Sequence, residues 1–396
     1  MKLSVQKCCS LLQAEYNGLP TDVTIDSIVI DSRSLQNSAT TLFFALEGPN
    51  NDAHHYIHEL ILKGVQYFVV THIPESCEGK ANFLLVKNTL TALQEVASYY
   101  RSLFHFPIIG ITGSNGKTIV KEWLNFLLSP DYSIIRSPKS YNSQVGVPLS
   151  VIGINEQHNL GIFEAGISTV SEMEKLETII RPTIGVLTNI GSAHDEGFAN
   201  TNEKIKEKLR LFDRAQILIH PKSEAIDTLI RPELKTLSWS FTDPKAVVMV
   251  TKKQQSAQTQ LQFTTPTISF EISIPFHDQA SIENAISCVL VLLYLEYDAQ
   301  TIQNRMAQLY PVEMRLKLKD GINNCTLIDD SYSADFQSLK IALDFLESQK
   351  QSVKKTIILS DIFQSGLTND ELYAKVAQLI VANNISRVIG IGATIT

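Results

Sequence analysis

The stretch "FPIIGITGSNGKTIVKEWLNFLL", Phe106 to Leu128, decides the fold. It opens as an apolar run and passes through Gly110, Gly113 and Gly116. A Lys117-Thr118 pair follows, and the pattern then turns helical. "FPIIGIT" reads as a strand, and "TIVKEWLNFLL" sets Val120, Leu124 and Leu127 on one helical face. Glycines in the turn permit positive φ and close backbone approach. Successive amides then point inward, and the helix N-terminus adds partial positive charge. The result is a cradle for phosphate made by Gly113, Ser114, Asn115 and Gly116. Lys117 reaches the outer phosphates of a nucleoside triphosphate, and the Thr118 hydroxyl meets its Mg²⁺. The strict spacing GxxxxGK[ST] places glycine at 111, where this chain has Ile111. A tight strand-to-helix turn without a ligand is the plain alternative. The strand–turn–helix setting favours phosphate, and the motif speaks for a nucleotide rather than for a reaction.

Working outward, "LGIFEAG", "IGVLTNI" and "QILIHP" are short apolar runs separated by helical or loop segments. That alternation predicts an α/β fold with a central, mostly parallel, doubly wound sheet. A β-rich insert is expected at about 247 to 276, where residues alternate at period two, followed by a helix from about Ala280 to Tyr294. Residues 1–104 mix short β-like runs with helices and form a first domain, and residues 105–312 form the second. Residues 313–396 read as βαβαβ, a partial Rossmann-like third domain. Average sheets have about five or six strands, so the chain is expected to be cut within this domain.

Composition narrows the function. The chain has 396 residues, 44% of them hydrophobic, with a formal net charge of -7. No basic block offers a nucleic-acid surface. Five scattered cysteines without a CxxC pair argue against a disulfide framework or zinc site and fit a reducing compartment. The N-terminus lacks the apolar core of a signal peptide. "CVLVLLYL" is too short to insert into a membrane, so a cytoplasmic protein is expected.

Further candidates lie downstream. Glu164 in "FEAGIS" ends an apolar strand, where open sheets bind ligands. It is a candidate Mg²⁺ ligand, or a solvated strand end. His194 lies in the loop "TNIGSAHDEGF", where a histidine is commonly plain surface. "NEKIKEKLRLF" carries Lys204, Lys206, Lys208 and Arg210, a solvated face in which pattern prefers no single lysine. Asn284 stands near a helix start, where an asparagine serves as a cap or makes a local hydrogen bond. Arg315 is either a surface ion pair or a phosphate clamp. Asp329 and Asp330 suit a ribose, a metal or the start of a turn.

The motifs "GITGSNGKT", "SYNSQVGVP", "FEAGIS", "TNIGSAHDEGF", "KEKLRLF", "MRLKL" and "LIDDSYSAD" occur in an order that resembles the Mur ligases. These ATP-dependent enzymes build the peptide stem of peptidoglycan. "DSR", "LFFALEG" and "NDAHHYI" are similar to the uridine-nucleotide domain of its later-acting members. "DDSYSAD" is most similar to the members that add D-alanyl-D-alanine to UDP-N-acetylmuramoyl-tripeptide. The tail looks like a subgroup fused to a pyridoxal-phosphate alanine racemase, which would follow residue 396. The resemblance implies residue roles. Lys117 and the loop amides hold ATP phosphates. Thr118 and Glu164 hold one Mg²⁺, His194 helps hold a second, and Lys208 matches the lysine that is carbamylated into a carboxylate-like metal ligand. Asn284 contacts adenine, and Arg315 and Asp330 close on phosphate and ribose. Ser32 and Arg33 lie near the uridine diphosphate, and Asn142 faces substrate. It implies that Lys117, His194 and Lys208 serve catalysis through an acyl phosphate. Other readings are a related amide ligase, such as a folylpolyglutamate-type enzyme, and a nucleotide-binding module without ligation. The chain departs from the family's usual "YNANP" with "YSADF", carrying Ser333, Asp335 and Phe336, and Ala53 replaces a common glycine.

Overall fold

The computed structural model describes residues 2–395 apart from 36, 49, 50, 192–194, 256, 257, 313–315, 324, 332, 333, 349–353 and 364. Buried parallel strands read as unbroken apolar runs, and the expected runs form the middle of the central sheet. Among the described residues it has nine strands. Seven are parallel, in the order Ile134–Arg136, Leu160–Glu164, Ile108–Thr112, Ile184–Leu187, Ile217–Pro221, Lys235–Ser240 and Val248–Gln254. Thr259–Thr264 and Ser269–Ile274 follow antiparallel. The segment expected as an insert at 247–276 therefore supplies the last parallel strand of the same sheet and its two antiparallel edge strands. Its alternation buries Val248, Val250, Leu261, Phe263, Ile272 and Ile274 in one core with helix Gln279–Tyr294. Helix Lys117–Leu128 buries Val120, Leu124 and Leu127 there too, as the spacing predicts.

A second sheet has the order Glu15–Asn17, Asn82–Leu85, Tyr67–Val70, Thr41–Phe44 and Ser27–Val29, parallel except for the Glu15–Asn17 edge. Helix Thr89–Ser102 joins it to the central sheet. Leu93, Val96, Ala97 and Tyr100 share one core with Leu84 on one side and Val147, Val151, Met173 and Leu176 on the other.

Beyond residue 316 the expected βαβαβ run is altered. Thr326–Asp329 pairs antiparallel with Lys317–Asp320, a strand not foreseen. The hairpin is closed by a Gly321 N–H to Cys325 carbonyl bond of 2.8 Å, with Asn323 in the left-handed region at φ 56°. Asparagine tolerates that conformation. Thr356–Ser360 and Arg387–Ile391 form a parallel pair, flanked in sequence by helices Phe336–Ser348 and Asn369–Ala382. No helix among the described residues is long and apolar enough to cross a membrane.

Candidate active site

The carboxyl ends of Ile108–Thr112, Leu160–Glu164 and Ile184–Leu187 open onto one site. The loop between Thr112 and Lys117 needs its glycines. Gly113 has φ 145° and Gly116 has φ 86°. A Cβ on Gly113 would stand 2.0 Å from Thr188 Oγ1, and one on Gly116 would stand 2.3 Å from Asn284 Oδ1. The loop is tied to the next strand end: Ser114 N donates to Asn189 O at 2.9 Å, and Asn115 N to Asn189 Oδ1 at 3.0 Å. Thr188 Oγ1 donates to Asn115 O at 2.5 Å. Its backbone is thus shaped in advance for an anion, which lowers the ordering cost of binding.

Lysines crowd this loop. Lys117 Nζ donates to the carbonyls of Gly113 at 3.0 Å and Ser114 at 2.9 Å. Lys208 Nζ, from helix Thr201–Leu209, donates to the same Gly113 carbonyl at 3.2 Å. Lys208 is buried, and burial, then Lys117 and Lys204, hold its amine well below the usual lysine range. Lys204 is buried as well, donating to Gly191 O and to the Asp195 carboxylate. The solvated lysine face expected for this helix is thus corrected at two of its positions.

Glu164 is fully buried, so the solvated-strand-end reading does not hold. Its Oε2 accepts from Thr118 Oγ1 at 2.9 Å. Thr118 Oγ1 also lies 3.2 Å from Ser140 Oγ. Lys121, one helical turn beyond Lys117, is buried with Nζ 4.0 Å from Glu164 Oε1. It donates to Ser137 O at 2.8 Å and to Lys139 O. A hydroxyl and a buried carboxylate side by side beneath a phosphate-shaped loop form an oxygen donor set suited to Mg²⁺. The glycine cradle and Lys117 suit a triphosphate. These residues fit both groups.

Asn284 lies against Gly116, at the start of helix Lys117–Leu128. Asn142 O accepts from Gly166 N at 2.8 Å, which sets it beside the segment after Glu164. Asp330 stands at the base of the 317–329 hairpin, its Oδ1 accepting from Leu316 N at 3.3 Å. His194 and Arg315 lie outside the described residues. Ser32 and Arg33 occupy a separate place, the turn after strand Ser27–Val29. There the Arg33 guanidinium forks onto Asp31 at 2.7 to 3.2 Å. The Arg33 side-chain and backbone hydrogen bonds push the Asp31 carboxyl down to about 2.

Sequence reasoning missed several participants. Ser140, Thr188 and Asn189 lie inside quoted motifs, but nothing in their spacing ranks them above their neighbours. Lys121 left a signal: it falls between Val120 and Leu124 on an apolar helix face. From the third domain, Gln337 and Ser338 reach the loop. Gln337 Cγ lies 3.4 Å from the place of a Cβ on Gly191, and Ser338 Oγ is 3.5 Å from Asn115 Oδ1.

The sequence matches the family model of the Mur ligase middle domain over residues 111–292. It is 26% identical to a UDP-N-acetylmuramoyl-tripeptide--D-alanyl-D-alanine ligase of Bacillus subtilis, covering 93% of this chain and 80% of that protein. It is 28% identical to the Rickettsia prowazekii protein of the same name, covering 95% of this chain and 84% of that one. In fold it is similar to the crystal structure of MurF from Acinetobacter baumannii, with TM-score 0.85 and 22% identity, over 100% of this chain and 86% of that one. MurF ligase from Thermotoga maritima in complex with ADP gives TM-score 0.79 at 20% identity, over 92% of this chain and 83% of that one.

Proposed function

We propose, from the premise that this chain belongs to the Mur ligase family, that it is an ATP-dependent amide ligase of peptidoglycan synthesis. It joins the terminal carboxylate of UDP-N-acetylmuramoyl-tripeptide to the amine of D-alanyl-D-alanine, the activity named for the Bacillus subtilis and Rickettsia prowazekii relatives. The observation that carries the reading is the phosphate-shaped loop standing over the Thr118–Glu164 pair, in a chain that aligns with those relatives over nearly its whole length.

A carboxylate does not acylate an amine directly, because oxide is the leaving group. Phosphorylation by ATP converts it to an acyl phosphate. The amine then attacks, and phosphate leaves. The chain's residues position the partners and offset charge. The loop amides of Gly113, Ser114, Asn115 and Gly116, with Lys117, hold the phosphates. Thr118 and Glu164 would hold one Mg²⁺, and His194 and carbamylated Lys208 would help hold a second; the ions would supply positive charge to offset that of the transferring phosphoryl group. Asn284 meets the adenine, and Arg315 and Asp330 close from the third domain. Residues 1–104 bind the uridine end through Ser32 and Arg33, residues 105–312 bind ATP with Asn142 on the substrate side, and residues 313–396 face the dipeptide. The work is done in the cytoplasm, where these nucleotide substrates occur.

Lys208 is read as carbamylated. Its neutral amine attacks carbon dioxide, loses a proton and becomes a carbamate, an oxygen ligand in place of a cation. Burial and neighbouring lysines support this by favouring the neutral amine. A carbamate resonance in the protein under ¹³C-bicarbonate, lost on Lys208→Met, is expected. Its absence at neutral pH would remove this part of the reading. The tail's resemblance to racemase-fused ligases is read as subgroup membership, tested by the reading frame downstream of residue 396.

The main test measures phosphate release from ATP with both substrates. Release that needs UDP-N-acetylmuramoyl-tripeptide and D-alanyl-D-alanine together is expected. Release driven instead by folate and glutamate, or none with any pair, would overturn the assignment.

A further inference from the structure

The third-domain helix Phe336–Ser348 begins against the phosphate loop. Asp335 caps it: Oδ1 accepts from Gln337 N at 3.0 Å and Ser338 N at 2.9 Å. At the point where this chain departs from the family's usual motif, the aspartate is thus a helix cap. The Ser338 hydroxyl donates to Asp335 Oδ2. Ser338 is buried, with Oγ 3.5 Å from Asn115 Oδ1. Asn115 Nδ2 is buried and has no hydrogen-bond partner among the described residues. Alongside, Gly191 is pressed between Gln337 and Ser114, whose Oγ accepts from Gly191 N at 2.8 Å.

A serine hydroxyl has one proton, and Asp335 takes it. Asn115 Oδ1 therefore faces an oxygen with nothing to donate, while its own Nδ2 donor is wasted. Turning the carboxamide over about the Cβ–Cγ bond gives the nitrogen an acceptor and removes the oxygen–oxygen contact. Nδ2–H then donates to a Ser338 lone pair, and a chain of bonds runs from the phosphate loop through Ser338 and Asp335 to the helix amides. Such chains polarise one another cooperatively. We propose that Ser338 is a positioning residue that couples docking of the third-domain helix to the shape of the nucleotide loop through Asn115. The proposal rests on the nucleotide reading of that loop. Coupling of this kind is reciprocal: nucleotide tightens docking, and docking tightens nucleotide binding.

The test uses the full chain, ADP·Mg²⁺ as probe at saturating concentration, and hydrogen exchange of amides in helix Phe336–Ser348. In the unaltered chain the probe slows exchange at the helix start. Ser338→Ala abolishes that nucleotide-linked protection and weakens ADP·Mg²⁺ binding about three- to tenfold, the scale of one hydrogen bond. Ser338→Thr keeps the hydroxyl and restores both. Asn115→Ala lies in another domain and does not remove the helix cap, yet it removes the protection as well. The double variant is no weaker than the more affected single one. Retained protection in Ser338→Ala, or losses that multiply in the double variant, would overturn the coupling alone. An unaltered chain that binds no ADP·Mg²⁺ would overturn the coupling and the nucleotide reading together.

Discussion

At the scale of single residues, two lysines share one acceptor. Lys117 and Lys208 both donate to the Gly113 carbonyl, so two lysine amines meet at the start of the loop, and burial holds that of Lys208 well below the usual lysine range. A preorganised donor of this kind contributes about 3–4 kcal/mol to a transition state. Lys117→Ala is therefore expected to lower the ligation rate about a hundredfold or more while leaving the melting temperature nearly unchanged. Near-normal turnover would remove Lys117 from the phosphate site. Lys208 makes a different prediction, because burial and its cationic neighbours lower its folded value below the unfolded lysine range. Between the two values the unfolded chain carries a proton that the folded chain does not. Stability thus rises with pH through that window and levels off near the unfolded value of about 10.4. In carbon-dioxide-free buffer without nucleotide, Lys208→Met should be more stable than the unaltered chain at pH 7. The gap should narrow as pH climbs toward 10. Parallel denaturation curves from pH 7 to 10 would count against a neutral, buried Lys208.

At the scale of elements, helix Thr89–Ser102 is the joint between two sheets. Its Tyr100 hydroxyl donates to Ile154 O at 2.9 Å, Ser98 Oγ to Thr178 O at 2.8 Å and Arg101 Nε to Ile180 O at 3.0 Å. Burial, with Arg181 nearby, pushes Arg101 down to about 10. Because Leu93 lies in a core common to both sheets, Leu93→Ala should cost about 2–5 kcal/mol. It should shift one shared calorimetric transition rather than split off a first-domain melt. Ile108–Thr112, Leu160–Glu164, Ile184–Leu187 and Ile217–Pro221 were legible in the sequence because each is an apolar run, whereas the short Ile134–Arg136 and the polar-rich Lys235–Ser240 were not. The phosphate loop was legible because its glycines and Lys117-Thr118 sit between a strand and a helix. Lys317–Asp320 was not, since "KLKD" has neither an apolar run nor a clean alternation. The joining of 259–274 to the central sheet was equally hidden, as alternation reports a strand and not its partner. Ser338 and Asn115 stand 223 residues apart, and no local pattern links them. What spacing encodes is therefore the site's own loop, while the buried lysines and the third-domain contacts arise only from packing.

At the scale of the whole molecule, the third domain and the central domain line an open cleft of about 500 Å³. Its walls include Asp195, Ala199 and Asn200 from the central domain and Phe336, Phe363 and Lys375 from the third. That volume falls within the usual range for small-molecule sites of about 300–1,000 Å³. Asp195 and Asp335 in its lining already accept from Lys204 and Ser338, which leaves Lys375 for a ligand carboxylate and Phe336 and Phe363 for apolar groups such as the methyls of the proposed dipeptide. The cleft exists only while the two domains face each other, so the contact of Gln337 and Ser338 with the loop and the shape of this space belong to one arrangement. Ala199 tests the link. It lines the cleft, and its backbone N–H donates to Glu203 Oε2 at 2.7 Å, a bond that a larger side chain leaves in place. Ala199→Trp should raise the KM for D-alanyl-D-alanine about tenfold or more, a loss of about 1.4 kcal/mol or more. The ADP·Mg²⁺ dissociation constant should stay within about twofold, since the Gly113–Gly116 amides and Lys117 lie on the loop itself. A selective KM rise would place the acceptor amine between the domains. An unchanged KM would put the dipeptide elsewhere, and an equal loss of nucleotide affinity would mean that the indole holds the domains apart instead of filling the space between them.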